Sequence, residues 1–468
     1  MVNKLTHPHK RDGRAGLVRA RMRRGLSQEA AAEQIGVSPT TWARWERGEQ
    51  GVRPVYRTRI AAAWQVGAEE VERWLDTQAS CDDLAPWEEE NGFDSVASSV
   101  EAAERLWRWE MDAQRRRMLA ALPFVPAALG EWLLAWQFDT APPPAVPTSP
   151  SPGSGARTSV GLADVQRVLD AHQAFTQMDH RFGAGLVRPA VTEFMSTTLT
   201  PLLRGAYTEE VGSRLLSAAA QMTELAGWMA FDLGRQGQAQ QHYGQALRLA
   251  KAAEDDLIGA RILASLAHQA ADLHQSRWAV RLASAAVEAG QRAQASPRVL
   301  AMLLIKHARA LSVRLADTDT QDPHTARQIT RILHSADDAF GKGLDDRDPK
   351  WIAYFDEAEL AGNAGSCWRK IGDFSRATSQ AERAMRSFGN PYSRSVQLTR
   401  LSAADSYLGM GDLDQAVDTA RQAISGLKEL TSTRAGNRAL GFAKRLKADF
   451  PGSQANEFGD YVRSELAG

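Results

Sequence analysis

The second half of the chain repeats itself, and this limits its possible folds more than any other feature. Four segments overlay, at 227–246, 267–286, 365–384 and 404–423. Each opens on a small residue (Gly227, Ala267, Gly365, Ala404) and carries another twelve positions on (Ala239, Ala279, Ala377, Ala416). A third small residue follows seven positions later (Ala246, Ala286, Ala384, Ala423). In the last two segments Ile371-Gly372-Asp373-Phe374 and Met410-Gly411-Asp412-Leu413 read as turns between paired helices. Beyond residue 160 the composition is rich in Ala, Leu, Arg and Gln with 3.6-residue periodicity, and strand signals are almost absent. Small residues at the crossings let paired helices approach closely, and such units bury a continuous core by stacking. The chain reads as all-α, its long half as an α-solenoid of helix pairs. A plain helical bundle without a binding groove is the alternative.

The repeating half resembles tetratricopeptide repeats, with a spacing near 40 residues where about 34 is usual. Gly365, Trp368, Gly372, Phe374, Ala377 and Ala384 carry the resemblance best, and Gly227, Gly234, Ala239, Tyr243 and Ala246 carry it in the first unit. Residues 296–340 are expected to hold a further, degenerate helix pair with a long acidic loop. The resemblance implies that the first helix of each pair lines a concave surface. The candidate ligand or partner contacts carried over on it are Gln221, Glu224, Trp228, Arg261, His268, Asp272, Arg369, Lys370 and Asp405. Mixed charge with an aromatic suits a peptide or protein segment.

The N-terminal region has a different grammar. Leu26 to Ser38 reads as a helix, a glycine turn at Gly36 and a new helix start. Ser27 is placed to cap the first helix, Ser38 caps the second, and Pro39 takes its first position, where a missing N–H costs nothing. Val37 and Trp42 form a hydrophobic-staple pair. Two short helices joined by a glycine-bearing turn make a helix-turn-helix. Rotation of about 100° per residue puts Trp42 and Trp45 on one face and Thr40, Ala43, Arg44 and Arg47 on the other. The second face is small and cationic, and suits a major groove.

Residues 14–76 resemble the xenobiotic-response-element (Cro/phage-repressor-like, XRE) helix-turn-helix family. The matching stretches are Leu26-Ser27-Gln28, Val37-Ser38, Thr41 to Gly48, Arg53-Pro54, Ile60 to Trp64 and Val71 to Leu75. The resemblance implies a five-helix domain that binds operator DNA, commonly as a dimer on inverted half-sites. It places a DNA-contacting glutamine at Gln28, reading positions at Pro39, Thr40 and Arg44, and a salt bridge between Arg21 and Glu46. Amide residues often occupy the early reading positions; Pro39 and Thr40 cannot supply bidentate adenine readout, so Arg44 carries more of the discrimination. The full set of candidate DNA contacts is Gln28, Ser38, Pro39, Thr40, Ala43, Arg44, Arg47 and Arg53.

Charge sorts along the chain in the same sense. Basic and acidic residues both total 56, but residues 1–60 hold thirteen basic and five acidic, and residues 69–112 hold fourteen acidic and three basic. A basic head beside an acidic neck suits a polyanion partner for the head. At 468 residues the chain needs more than one hydrophobic core. The expected division is a DNA-binding domain at 1–76, an acidic connector with helices at 77–140, a Pro/Ser/Gly-rich linker at 141–160 and the repeats at 161–460. Pro123 and Pro126 are expected to break residues 99–138 into two helices. Arg115-Arg116-Arg117 and the apolar stretch after it imitate a twin-arginine export signal, but they lie behind a complete domain and read as a buried helix behind a basic turn.

Two distant cysteines, Cys81 and Cys367, exclude a disulfide scaffold and fit a reducing compartment, and a cytoplasmic protein is expected. No phosphate loop, His-Glu-x-x-His or Gly-x-Ser-x-Gly motif occurs. Asp317, Asp319 and Asp322 mimic a calcium loop, but Asp322 stands where glycine is required and Gln328 where glutamate is. Neither metal, cofactor nor enzymatic activity is expected. The sequence points to a sequence-specific transcription regulator, the expected partners being double-stranded operator DNA, a second copy of the chain and a peptide or protein ligand. The alternative is an interaction adaptor whose helix-turn-helix does not engage DNA.

Overall fold

A computed structural model describes residues 14–75 (without 23, 25, 48 and 65), 95–139, 158–317, 322–388, 393–427 and 432–467. The acidic connector expected from residue 77 lies outside the described residues up to 94, as does the linker expected at 141–160 up to 157. The chain divides between residues 89 and 90 into two compact units.

Among the described residues the first unit has five helices: α1 (Ala15–Met22), α2 (Gln28–Ile35), α3 (Pro39–Glu46), α4 (Pro54–Ala63) and α5 (Ala68–Leu75). Ser27 accepts from the Ala30 N–H and Ser38 from the Thr41 N–H, both at 3.1 Å, as the capping pattern predicts. Gly36 ends α2 in the left-handed region at φ 76°, where a side chain is strained. Trp42 and Trp45 are fully buried with Leu17, Ile35, Ile60 and Val71, each large side chain contributing roughly 1.5–3 kcal/mol of burial. Arg14 ties the ends of the unit together, donating to the carbonyls of Leu75 at 3.0 Å and Trp45 at 2.9 Å.

The second unit begins with α6 (Val96–Met111), α7 (Ala113–Ala120) and α8 (Pro126–Phe138). The expected pair of helices is thus three. The additional break is at Asp112, whose extended backbone leaves α6 and whose carboxylate caps α7 through the Arg115 N–H at 2.7 Å. Nor is the apolar stretch behind Arg115 a wholly buried helix, because Leu134 and Phe138 are exposed on α8.

After α9 (Leu162–Phe182), α10 (Ala184–Phe194), a π-helical turn (Met195–Leu199) and α11 (Thr200–Leu203), the repeats begin. The four overlaid segments are four helix pairs. They are α12 (Glu209–Asp232) with α13 (Gln236–Ala252), α14 (Asp256–Asp272) with α15 (Ser276–Arg292), α18 (Glu357–Lys370) with α19 (Phe374–Ser387), and α20 (Ser393–Gly409) with α21 (Leu413–Ser425). The degenerate pair is α16 (Pro297–Asp317) with α17 (Pro323–Phe340), and Asp322 caps α17. A last pair, α22 (Thr433–Asp449) and α23 (Ser453–Ala467), closes the array.

Turns recur every 20 residues at Gly234, Glu254, His274 and Gln294, all with positive φ. Each is closed by the same bond, from Arg235, Asp255, Gln275 and Ala295 to the carbonyl five residues back. The regularity explains the 40-residue spacing: two helices and two such turns make one repeat. The small residues at the third and second overlay positions are buried at the crossings, and a Cβ on Gly227 would lie 2.9 Å from the Tyr243 ring.

Helices α6–α8 pack on these repeats. A Cβ on Gly244 of α13 would come within 2.6 Å of Trp132, and Gly259 of α14 lies beneath the Trp136 ring in the same way. Gln240 satisfies the irregular chain before α8 as a backbone would, accepting from the Val125 N–H at 2.8 Å and donating to its carbonyl at 2.7 Å. Glu110 of α6 is fully buried between Arg188, at 2.6 and 2.5 Å, and His242.

Candidate nucleic-acid interface and cavity

In the first unit, Trp42 and Trp45 anchor one side of α3 and leave the other in solvent. Ser38, Pro39, Thr40, Arg44, Arg47 and Arg53 are exposed, and Ala43 is half-buried among them. Glu46, at the C-terminal end of the buried face, fixes the helix: its carboxylate accepts from Arg21 Nε at 2.6 Å, Trp42 Nε1 at 2.8 Å and Gln28 Nε2 at 2.5 Å. The Arg21–Glu46 bridge is the one the resemblance implies. Gln28, in contrast, spends its amide on Glu46 and is half-buried, so contact with DNA through that amide requires it to turn outward. Arg47 is engaged as well, by Glu49 at 2.7 and 3.0 Å. No hydrogen bond or ion pair to the described residues holds the Arg44 or Arg53 guanidinium.

The second unit encloses a cavity of about 790 Å³. Seven of the nine candidate contacts line it: Glu224 and Trp228 from α12, Arg261, His268 and Asp272 from α14, Arg369 and Lys370 from α18. Asp405 stands behind the wall, paired with Arg369 at 3.8 Å and with Arg445. Gln221 is buried on α12 and faces a separate, smaller cleft beside Leu162 and Asp255.

The repeat pattern left out half of the wall. Arg394 reaches in from the start of α20 and joins Asp179 of α9, at 2.9 Å, to Asp232 of α12, at 3.1 Å. Arg434 of α22 lies 3.3 Å from Asp232 and is stacked 5.3 Å from the Trp228 ring centre. Arg309 of α16 donates to Asp272 at 2.5 Å. Asp179, Arg309 and Arg434 sit outside the recognisable repeats, on α9, on the degenerate pair and on the closing pair, while Asp232 and Arg394 stand on α12 and α20; no sequence spacing relates them.

Electrostatics here is dominated by cations. Nine Lys and Arg side chains line the cavity against four carboxylates, with Asp232 and Asp405 directly behind. Burial opposes ionisation of Asp272, but Arg309, with Arg434 adding to it, outweighs burial and holds the carboxyl below the usual range. His268 is pushed well down by burial and by Arg309 and Lys306, which leaves it neutral. Lys306 donates to its Nδ1 at 3.2 Å. Among the described residues no group of three or more His, Cys, Asp or Glu side chains converges as metal ligands would.

Comparison with known proteins bears on the two units differently. Residues 15–74 match the family described as "Helix-turn-helix domain". One solved structure, described as "Crystal Structure of Rap Protein Complexed with Competence and Sporulation Factor", is similar at 15% identity with a TM-score of 0.41, over 64% of this chain and 88% of that one. No curated protein matches the chain. The N-terminal unit, with its buried tryptophan face and its exposed α3 surface, is a helix-turn-helix domain.

Proposed function

We propose that the chain is a sequence-specific DNA-binding transcription regulator of XRE type. Its helical-repeat unit senses a peptide or protein segment, mediates dimerisation, or does both. The observation that carries the reading is the division of α3, with Trp42 and Trp45 at 0% and 1% exposure and Thr40, Arg44 and Arg47 in solvent. A helix anchored so firmly on one side presents the other as a rigid surface, which is what insertion into a major groove requires. Arg44, unpaired, is the residue placed to fork onto guanine O6 and N7. The cavity in the second unit supports the sensing half of the reading, because its volume falls in the range of ligand sites and polar groups converge on it. No catalytic role is assigned to it, and the expected workplace is the cytoplasm; among the described residues no helix is long and apolar enough to cross a membrane.

Selection of bound sequences from a random duplex pool tests the reading, followed by mobility shifts of wild type and Arg44→Ala on the selected site. Enrichment of one motif, lost with Arg44→Ala, is the expected result. Failure to enrich any motif leaves the adaptor reading in its place.

A further inference from the structure

Three cations in the cavity wall have no carboxylate partner: Lys306 of α16, Lys370 of α18 and Arg438 of α22. Among the described residues Lys306 has only neutral His268 as its acceptor, and no hydrogen bond or ion pair to them holds Lys370 or Arg438. The carboxylates nearby are already shared. Asp272 serves Arg309 and Arg434, and Asp405 serves Arg369 and Arg445. Two buried donors in the same wall, Nε of Arg309 and Nε of Arg369, also lack an acceptor. Charges from three separate helices therefore face one space with an excess of three over the surrounding carboxylates.

An uncompensated cluster of this kind is costly, since burial and like charge both oppose ionisation. Lys370 is pushed down to about 8 by burial and by Arg309, Arg369 and Arg438. Lys306 is pushed down to about 8, chiefly by burial; Glu359 pulls the other way, and Arg309 and Arg434 add to the lowering. Arg438 is pushed down to about 10 by burial and Arg369. Arg309 opposes ionisation of all three, and all four side chains line the same cavity. A single carboxylate entering that cavity brings one charge and two oxygens. A phosphoryl group brings a charge of roughly −1.5 to −2 and three strong acceptor oxygens, one for each unpaired cation.

We propose that the ligand of this cavity carries a phosphoryl group, seated between Lys306, Lys370 and Arg438. The proposal rests on the reading of the cavity as a ligand site and adds the charge of the ligand. The remaining wall, with Trp228, Phe231 and Tyr354, is left for the less polar part of the same molecule.

Calorimetric titration of the full chain with inorganic pyrophosphate, and separately with a short Asp/Glu peptide of matching charge, tests it at fixed ionic strength without DNA. Pyrophosphate should bind, and Lys306→Gln and Lys370→Gln should each weaken it by roughly tenfold or more. Both variants should keep or raise the melting temperature of the ligand-free protein, because each removes a repelling charge. Undetectable pyrophosphate binding overturns the proposal, as does equal affinity in wild type and both variants. Binding of the acidic peptide alone assigns the subsite to carboxylates and overturns the phosphoryl assignment. Because the titration contains no DNA, its failure leaves the sequence-selection result untouched, and the reverse holds.

Discussion

Glu110 of α6 and Arg188 of α10 form a two-pronged buried ion pair, at 2.6 and 2.5 Å, between residues 78 positions apart in sequence. His242 and Gln238 of α13 complete the set around the carboxylate, Gln238 donating at 3.1 Å. The pair fastens the helices that precede the Pro-rich stretch to those that follow it. Replacing Glu110 by Gln leaves Arg188 buried without its counter-charge and should cost about 3–5 kcal/mol in the second unit, seen as a lowered denaturation midpoint. Burial alone would raise the Glu110 pKa, but Arg188 and His242 together hold it well below the usual carboxylate range. With the folded pKa depressed, the stabilisation is complete above the unfolded value of about 4.3 and is lost as pH falls below it. Glu110→Gln should therefore melt with a flatter acid limb than wild type between about pH 4 and 2.

Two glycines carry the docking of α8. Any side chain on Gly244 or Gly259 meets the Trp132 or Trp136 ring, and both tryptophans are buried. Gly244→Ala should cost roughly 1–3 kcal/mol, the ordinary cost of overpacking. Tryptophan fluorescence should shift red as the rings gain water. An unchanged spectrum and midpoint would mean that α8 is not seated on α13 as described.

His172 of α9 is buried, its Nε2 has no hydrogen-bond partner among the described residues, and burial with the nearby Arg261 pushes its pKa down to about 3. Above about pH 6.5 the imidazole is neutral folded or unfolded and stability does not depend on it. Below that the unfolded chain takes up a proton that the folded chain refuses, so stability falls by up to about 1.4 kcal/mol per pH unit toward pH 3. His172→Leu should remove that slope between pH 6.5 and 5, measured as the difference in denaturation midpoints; parallel curves for the two proteins count against it.

How much of this was legible in sequence depends on whether a residue acts within a repeat or across the array. Local rules were sufficient for α3: a 100° rotation separates Trp42 and Trp45 from Arg44, and Ser38 with Pro39 marks its start. The helix pairs were legible because close crossings demand Gly or Ala at fixed intervals. The break at Asp112 was missed because a capping aspartate inside a helical pattern looks like an ordinary surface charge. In the cavity, Arg394 finds Asp179 from 215 positions away, and Arg438 comes from a closing helix with no repeat signature. Such partners meet only through the superhelical path of the array, which no spacing rule encodes. The fate of Gln28 was hidden for a related reason: the same carboxylate that answers Arg21 has room for a third donor.

Glu46 offers a test of the first unit that separates stability from DNA contact. Arg21→Ala removes one of three donors from a buried carboxylate and should cost about 3–5 kcal/mol. Gln28→Ala removes another donor but leaves the ion pair intact, so its cost should be nearer 1.5–3 kcal/mol, typical of a hydrogen bond to a charged group. If Gln28 is also a DNA contact, its variant should lose affinity beyond what the lost stability explains, measured below the melting transition of both proteins. Equal loss of affinity and folded fraction assigns Gln28 to the core alone.

The exposed arginines should separate by salt dependence. Arg44→Ala should lower affinity for the selected site by roughly 1–3 kcal/mol and relax preference at one base pair, as expected if an unpaired guanidinium on the exposed side of α3 reads a base. Arg53→Ala should weaken every sequence alike and reduce the slope of log affinity against log salt by about 0.9, the signature of one lost phosphate contact. Arg47 differs from both because Glu49 already holds it through two hydrogen bonds. To meet a phosphate it must leave that carboxylate, which itself repels the DNA backbone. Arg47→Ala should accordingly cost less than Arg53→Ala, and Glu49→Gln should strengthen binding to all sequences while steepening the salt slope toward one further contact. A Glu49→Gln protein with wild-type affinity and slope would show that Arg47 points away from DNA, and would leave Arg44 and Arg53 as the only cations of the set that touch it.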